Sequence, residues 1–344
     1  MCSKADSGRR IDRLAGRADG GHGCALILVE GAGVMSFAAR VLVGLLVWAG
    51  LAGAAWAECR VEHDADVPIT MVNGYVYLPV TMNGETGNFL LDTGSSETLV
   101  DSAFASRAGV GMDRHAGEFV YRGAGNKETL PGFHGHVRIT EVGKIRFQDW
   151  EYGMLDLSRL SHSGARKDGI LGMDFLHYFQ IALDFPGKTL SLYRLSGCGD
   201  IAPPWKKDYD AIPLSHTPSH KVTIPVFVDN ALLNLEFDTG AGGGVLLTRD
   251  AAAKAGVDES AIAKDRATTG TGLAGGFNVA HHRFGLFLVG SAVYKDHVLG
   301  IENERSERGE TDGLVGLGPL DAERVWLSFS TNTLFVQRAS QIKP

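Results

Sequence analysis

Cysteine is scarce in this chain, with four in 344 residues, and no metal-type spacing relates them. Cys2 and Cys24 fall in an N-terminal stretch set aside below, which leaves Cys59 and Cys198. Two lone cysteines in an oxidising compartment are expected to pair. Closing a loop that long restricts the unfolded chain by roughly 4–5 kcal/mol in the entropic view. The alternative is two unrelated buried thiols. Charge is also thin, at 21% of residues against 44% hydrophobic, and positive charge is the scarcer sign, 33 Lys and Arg against 40 Asp and Glu. Residues 1–57 hold six of the former and four of the latter, so 27 stand against 36 in the remainder, a net of −9. A body that acidic has no electrostatic footprint for nucleic acid or an anionic membrane surface, and no nucleic-acid partner is expected.

Long apolar runs are missing but for one, Val41 to Ala57, which follows Arg40 and ends in Ala55-Trp56-Ala57. A positive residue, a short apolar stretch and small residues at −3 and −1 are the layout of a secretory signal, whereas 17 residues rich in Gly and Ala are marginal for spanning a bilayer. Cleavage after Ala57 is expected, with a retained anchor over 41–57 as the alternative and the only expected route to a membrane. Residues 1–34 are polar, Gly- and Arg-rich and without periodicity, so translation is expected to begin at Met35. The mature chain is then secreted, or periplasmic in a bacterial host with an outer membrane.

Glycine is plentiful. Forty-five glycines among short apolar runs point to many strands and tight turns, a mainly β fold. The chain also repeats itself. GYVYLPVTMNGETGNFLLDTGSSETLVDSAFASRAGV at 74–110 matches HKVTIPVFVDNALLNLEFDTGAGGGVLLTRDAAAKAGV at 220–257, with Pro79 and Pro225, like Asp92 and Asp238, 146 residues apart. Agreement resumes at 168–194 and 312–338, now offset by 144. Two copies of one unit are expected, over 58–205 and 206–344, with the join in the Gly-, Pro- and Lys-bearing stretch 196–208. In each copy a strand, a hairpin turn (Asn83-Gly84, Asp229-Asn230) and a buried strand lead into the acidic residue. Short helices follow at Asp101 to Ala108 and Thr248 to Ala255, stopping at Gly109 and Gly256.

Asp-Thr-Gly alone is a weak signal, since its bland reading is a turn with an Asx-type hydrogen bond. Here it occurs twice, after an apolar strand each time, and each copy is followed by Asp-Gly, two aliphatics and Gly. The separations are 77 residues from Asp92 to Gly169 and 75 from Asp238 to Gly313. Over nearly all of residues 66–340 the sequence resembles the aspartic peptidases, with short, similar lobes like a fused retropepsin dimer of the bacterial sort. The first motif continues into Ser95-Ser96 as in pepsins, and the second into Ala241 as in retroviral proteases.

The resemblance implies a bilobal pepsin- or retropepsin-like fold of two homologous β-barrel-like lobes, a monomer with internal pseudo-two-fold symmetry. It also implies an aspartic endopeptidase acting on a polypeptide in the cleft between the lobes, with no cofactor and no metal. It implies ψ-shaped crossings at Gly169-Ile170-Leu171-Gly172 and Gly313-Leu314-Val315-Gly316, and hydroxyls of Thr93 and Thr239 that bond across to the opposite loop. Independently of the name, two carboxylates held together cannot both ionise cheaply. Asp92 and Asp238 would share one proton, one activating a water while the other protonates the scissile carbonyl. Gly94 and Gly240 let backbone N–H groups approach the carboxylates. Ser96 has a hydroxyl for the outer oxygen of Asp92, while Gly242 offers Asp238 none, an asymmetry that favours mildly acidic activity.

Gly-rich lid hairpins are expected around Tyr121, Gly123 and Gly125 and around Gly270 and Gly272, with ordinary surface hairpins as the alternative. Gly270 to Gly275 spells a dinucleotide fingerprint but follows no apolar strand and opens no helix. His281-His282 and His134-x-His136 lack ligand-spaced partners. Asp168 and Asp312 are read as turn caps rather than catalytic groups. The rival functional reading is a protease-like peptide-binding or regulatory protein without turnover.

Overall fold

Tyr75–Met82 and Glu85–Leu91 bury most of their side chains and meet at Asn83-Gly84, whose φ angles of 50° and 91° are the left-handed pair that a two-residue hairpin needs. The strands pair antiparallel from Tyr77↔Leu90 to Met82↔Glu85. In the computed structural model, which describes residues 59–112, 118–121, 130–158, 160, 166–198, 201–206, 208–273, 275–302 and 310–338, this hairpin belongs to a nine-stranded sheet drawn from residues 70–171. Its copy, Val222–Val228 with Ala231–Phe237, belongs to an eight-stranded sheet drawn from residues 215–315. The fold is mainly β, two β lobes with a few short helices, as expected.

A third sheet of six strands takes three from each half, in the order Arg60–Pro68, Thr189–Ser196, Gln180–Asp184, Ala322–Ser328, Thr333–Arg338 and Asp210–Pro213. Its middle is the antiparallel pairing of Ile181 to Asp184 with Leu327 to Arg324, closed by an ion pair from Arg324 Nε to Asp184 Oδ2 at 2.8 Å. Val67, Ile181, Leu183, Val325 and Leu327 from this sheet join the buried core that runs through residues 65–336. Each such side chain contributes about 1.5–3 kcal/mol by leaving water. At the sheet's edge Cys59 and Cys198 form a disulfide with Cα atoms 4.3 Å apart, next to the strand pair Arg60↔Ser196.

The two expected helices form at α1 (Ser102–Arg107) and α3 (Arg249–Lys254), with α2 (Met173–Leu176) between them in the chain. Asp101 caps α1 by accepting from the N–H groups of Ala103 and Phe104, and Thr248 caps α3 by accepting from that of Ala251. Gly109 and Gly256 follow at φ 61° and 94°, where a side chain would be strained, and the helices stop. Helix α1 buries Phe104 edge-on against Phe89, their ring centres 5.5 Å apart. A fourth helix, α4 (Glu259–Ile262), starts at an Asp258 cap that the sequence pattern had not singled out. Residues 56–344 form one compact unit, and no helix among the described residues is long and apolar enough to cross a membrane. The expected signal over 41–57, the start at Met35, Cys2 and Cys24 lie outside the described residues.

Candidate active site

The strand ending at Leu91 delivers Asp92, whose N–H donates to Leu171 O at 3.1 Å. Gly169–Leu171 runs parallel to Phe89, Leu90 and Leu91 and antiparallel to Leu99 and Val100, so one strand threads between the two limbs of the Asp92 loop. The second half repeats this. Gly313–Val315 lies parallel to Glu236 and Phe237 and antiparallel to Val245–Leu247, and Asp238 N donates to Val315 O at 3.0 Å. The glycines bounding these crossings have no room for a side chain. A Cβ would sit 2.1 Å from the Phe89 ring at Gly169, 2.4 Å from Glu97 O at Gly172, 2.1 Å from Leu246 O at Gly313 and 2.8 Å from Gly243 N at Gly316. Ile170, Leu171, Leu314 and Val315 are buried between them.

The two loops clasp each other. Thr93 Oγ1 donates to Phe237 O at 2.6 Å and accepts from Thr239 N at 3.1 Å, while Thr239 Oγ1 donates to Leu91 O at 2.7 Å and accepts from Thr93 N at 3.1 Å. Both threonines are sealed, at 4% and 2% exposure, so these four bonds have no competing water. The clasp brings the Asp92 and Asp238 carboxyls into hydrogen-bond contact. Gly94 and Ser95 donate their N–H groups to Asp92 Oδ1 at 2.9 and 3.1 Å, and Gly240 N donates to Asp238 Oδ1 at 2.8 Å. A Cβ on Gly94 would lie 2.6 Å from Asp238 Cγ, and one on Gly240 2.4 Å from Asp92 Cγ. Glycine is therefore needed at these positions for the opposite carboxyl as well as for the local N–H.

Burial pushes the Asp92 carboxyl above the usual range, and the charge of nearby Glu236 pushes the same way. The hydrogen bonds from Asp238, Gly94 and Ser95 oppose the rise without cancelling it. Both aspartates are of intermediate burial and keep a minor accessible face.

The remaining loop residues are placed as follows. Ser95 Oγ donates to Glu97 O at 2.7 Å. Ser96 is exposed and makes no bond to Asp92 among the described residues, and the N–H groups of Gly94 and Ser95 both donate to Oδ1. Ala241 packs on a small cluster of Leu246, Val279 and Leu314. Gly242, at φ 65°, lies under the Tyr75 ring, whose Oη would be 2.6 Å from a Cβ there. Tyr75 lies outside the motifs of the sequence. Its phenol is pushed up by burial first and then by Tyr77, Asp238 and Asp92, which places it beside the pair. Lys167 holds its Nζ 5.6 Å from the centre of the Tyr75 ring, and burial lowers its pKa against the pull of Asp92.

Of the lid candidates, Tyr121 ends the strand Glu118–Tyr121, with its Oη and the Glu97 carboxyl together over Gly153. Burial raises the pKa of both. Gly123 and Gly125 lie outside the described residues. Gly270 and Gly272 are in a long hairpin, Arg266–Gly272 with Gly275–Val289, whose tip residue Leu273 packs on an apolar cluster of the first half that includes Tyr77, Leu90 and Ile170.

Asp168 and Asp312 prove to be matched staples. Each accepts an N–H on the strand before the motif, from Asn88 at 3.0 Å and Asn234 at 2.9 Å, and each pairs with a base near the end of the following helix, Arg107 at 2.8 Å and Lys254 at 2.5 Å. The discounted histidines have local partners: His134 meets Glu151 at 2.5 Å, His281 meets Thr268 at 2.7 Å and His282 meets Asp265 at 2.8 Å.

No curated protein matches the chain closely enough to count as a relative. A family model described as aspartyl protease matches residues 78–175, from the strand before Asp92 through the first ψ crossing. Over this segment the chain is similar to the aspartyl proteases.

Proposed function

We propose that the protein is an aspartic endopeptidase that binds an extended polypeptide between lobes 58–205 and 206–344 and hydrolyses it with Asp92 and Asp238. The observation that carries this reading is the reciprocal threonine clasp, which holds two largely buried carboxyls in contact and lets them keep one proton between them. The ionised member takes a proton from a water lying against both, and that water attacks the scissile carbonyl carbon. The protonated member gives its proton to the carbonyl oxygen, forming a neutral tetrahedral diol. The first carboxyl, now protonated, then donates to the leaving amine as the C–N bond breaks, and the second takes a proton back from the diol. No covalent enzyme intermediate forms. The Arg266–Gly272 hairpin and the strand ending at Tyr121 supply the cover that keeps bulk water from the diol. Secretion after cleavage near Ala57 accords with the Cys59–Cys198 disulfide.

The test is cleavage of a peptide library between pH 4 and 7. Asp92→Asn and Asp238→Asn are each expected to lower kcat/KM by about 10³-fold, in line with the loss of general acid/base catalysis. Cleavage that survives both substitutions removes the assignment.

A further inference from the structure

One basic side chain stands at the site with no anion of its own. Lys167 lies two residues before Gly169, where the first ψ crossing begins. The carboxylate next to it in the chain is committed elsewhere, since Asp168 takes Arg166 Nε at 3.0 Å, Arg107 at 2.8 Å and the Asn88 N–H at 3.0 Å. Lys167 instead holds its Nζ over the Tyr75 ring, 5.6 Å from its centre. That ring lies against the Asp238 loop, where a Cβ on Gly242 would meet its Cζ at 2.5 Å, and both aspartates bear on its phenol. The field of Asp92 reaches Lys167 as well. Ammonium, phenol and carboxyl pair therefore share one place.

Neither donor is used. Lys167 and Tyr75 are both of intermediate burial, and neither Nζ nor Oη makes a hydrogen bond or an ion pair among the described residues. Burial takes part of the water from the ammonium, and the lowered pKa means that Asp92 does not fully offset this. The crossing itself has no need of a cation there. By the offset of 144, Thr311 stands in the same place before Gly313, and the second crossing forms around it. An ammonium has three donors and no acceptor, and a partly dehydrated one gains most from an anion. A carboxylate arriving beside the pair also meets the negative charge that the pair keeps, a repulsion that Lys167 opposes.

Resting on the peptidase reading, we infer that Lys167, with the Tyr75 phenol, is a specificity-determining residue of the cleft that binds a substrate carboxylate near the scissile bond, from an acidic side chain or from a free C-terminus.

The experiment is a peptide library randomised around the cleaved bond, with each peptide made as the free acid and as the C-terminal amide. It is cleaved by wild type, Lys167→Met and Lys167→Arg and read by mass spectrometry for relative kcat/KM. Met keeps an aliphatic stem over Tyr75 and deletes the charge. Wild type is expected to favour a carboxylate over its carboxamide by at least about tenfold. The preference falls on Glu over Gln or Asp over Asn at one position if a side chain is read, and on the free acid over the amide if the terminus is read. The Met variant is expected to cut the acid no faster than the amide, because the repulsion from the pair then stands unopposed. The Arg variant is expected to keep a preference for the acid, since the charge remains. Wild-type cleavage that is indifferent to carboxylate and carboxamide at every position and at the terminus overturns the inference while the peptidase reading stands, whether or not a variant folds. A carboxylate preference that the Met variant keeps in full overturns it too. Absence of any cleavage by wild type overturns both.

Discussion

Asp92 is the residue at which burial, hydrogen bonding and charge oppose one another most directly, and burial wins. Its folded-state pKa is raised, so the folded chain keeps a proton that the unfolded chain gives up. Stability from this group is full below the unfolded carboxylate value, falls as pH rises through the folded value, and stays lost above it. Asp92→Asn has no charge to desolvate. Its Tm is expected to match wild type near pH 3 and to exceed it by a growing margin toward pH 7, and a margin that does not grow sinks the assignment of burial as the cause. The same rise keeps the shared-proton state of the pair populated toward mildly acidic pH. The sequence pointed to that pH preference by a different route, through the hydroxyl of Ser96, which instead is exposed and makes no bond to Asp92 among the described residues. Thr93→Val keeps the shape of the side chain and deletes its hydroxyl, stranding Phe237 O and Thr239 N. Denaturant unfolding is expected to register a loss of about 1–3 kcal/mol, with activity falling as the loops loosen.

At the scale of elements, the hairpins and the capped helices follow patterns a few residues long, so they were legible in the sequence, whereas the ψ crossings were implied only by the family resemblance. Asn83-Gly84, the Asp101 and Thr248 caps and the apolar strands before each Asp-Thr-Gly are local signals. The Asp168 and Asp312 staples were legible only in part. A turn cap could be read from the chain, but the partners Arg107 and Lys254 lie 61 and 58 residues away, and only the packing of the helix ends over the crossing strands supplies them. Asp168→Ala removes the acceptor of both Arg107 and the Asn88 N–H and is expected to cost about 1–3 kcal/mol in chemical denaturation. Gly313 combines a φ of 144° with a backbone oxygen, Leu246 O, in the way of any side chain. Gly313→Ala is expected to cost about 1–3 kcal/mol or more and to lower activity with it, because the crossing strand holds Asp238 N. A variant as stable as wild type argues against that tight packing.

At the scale of the molecule, the six-stranded sheet joins the two halves, and the Cys59–Cys198 disulfide ties the two ends of the first half to each other. Removing the disulfide through Cys59→Ser/Cys198→Ser is expected to lower unfolding free energy by about 2–5 kcal/mol, read as a shift in denaturant midpoint that reductant reproduces in wild type. The doubled motif, the β-rich character, the helix caps and the pairing of two lone cysteines could all be read from the chain alone. They rest on residue spacing and on a repeat, and both are properties of a one-dimensional string. The contact between carboxyls 146 residues apart was expected only through the family resemblance, and the need for glycine at 94 and 240 to admit the opposing aspartate and the place of Tyr75 beside the pair could not be read at all. They depend on how two similar surfaces fold against each other. That is settled by which buried donors and acceptors find partners across the join, here the two threonines and the strand ends at Leu91 and Phe237.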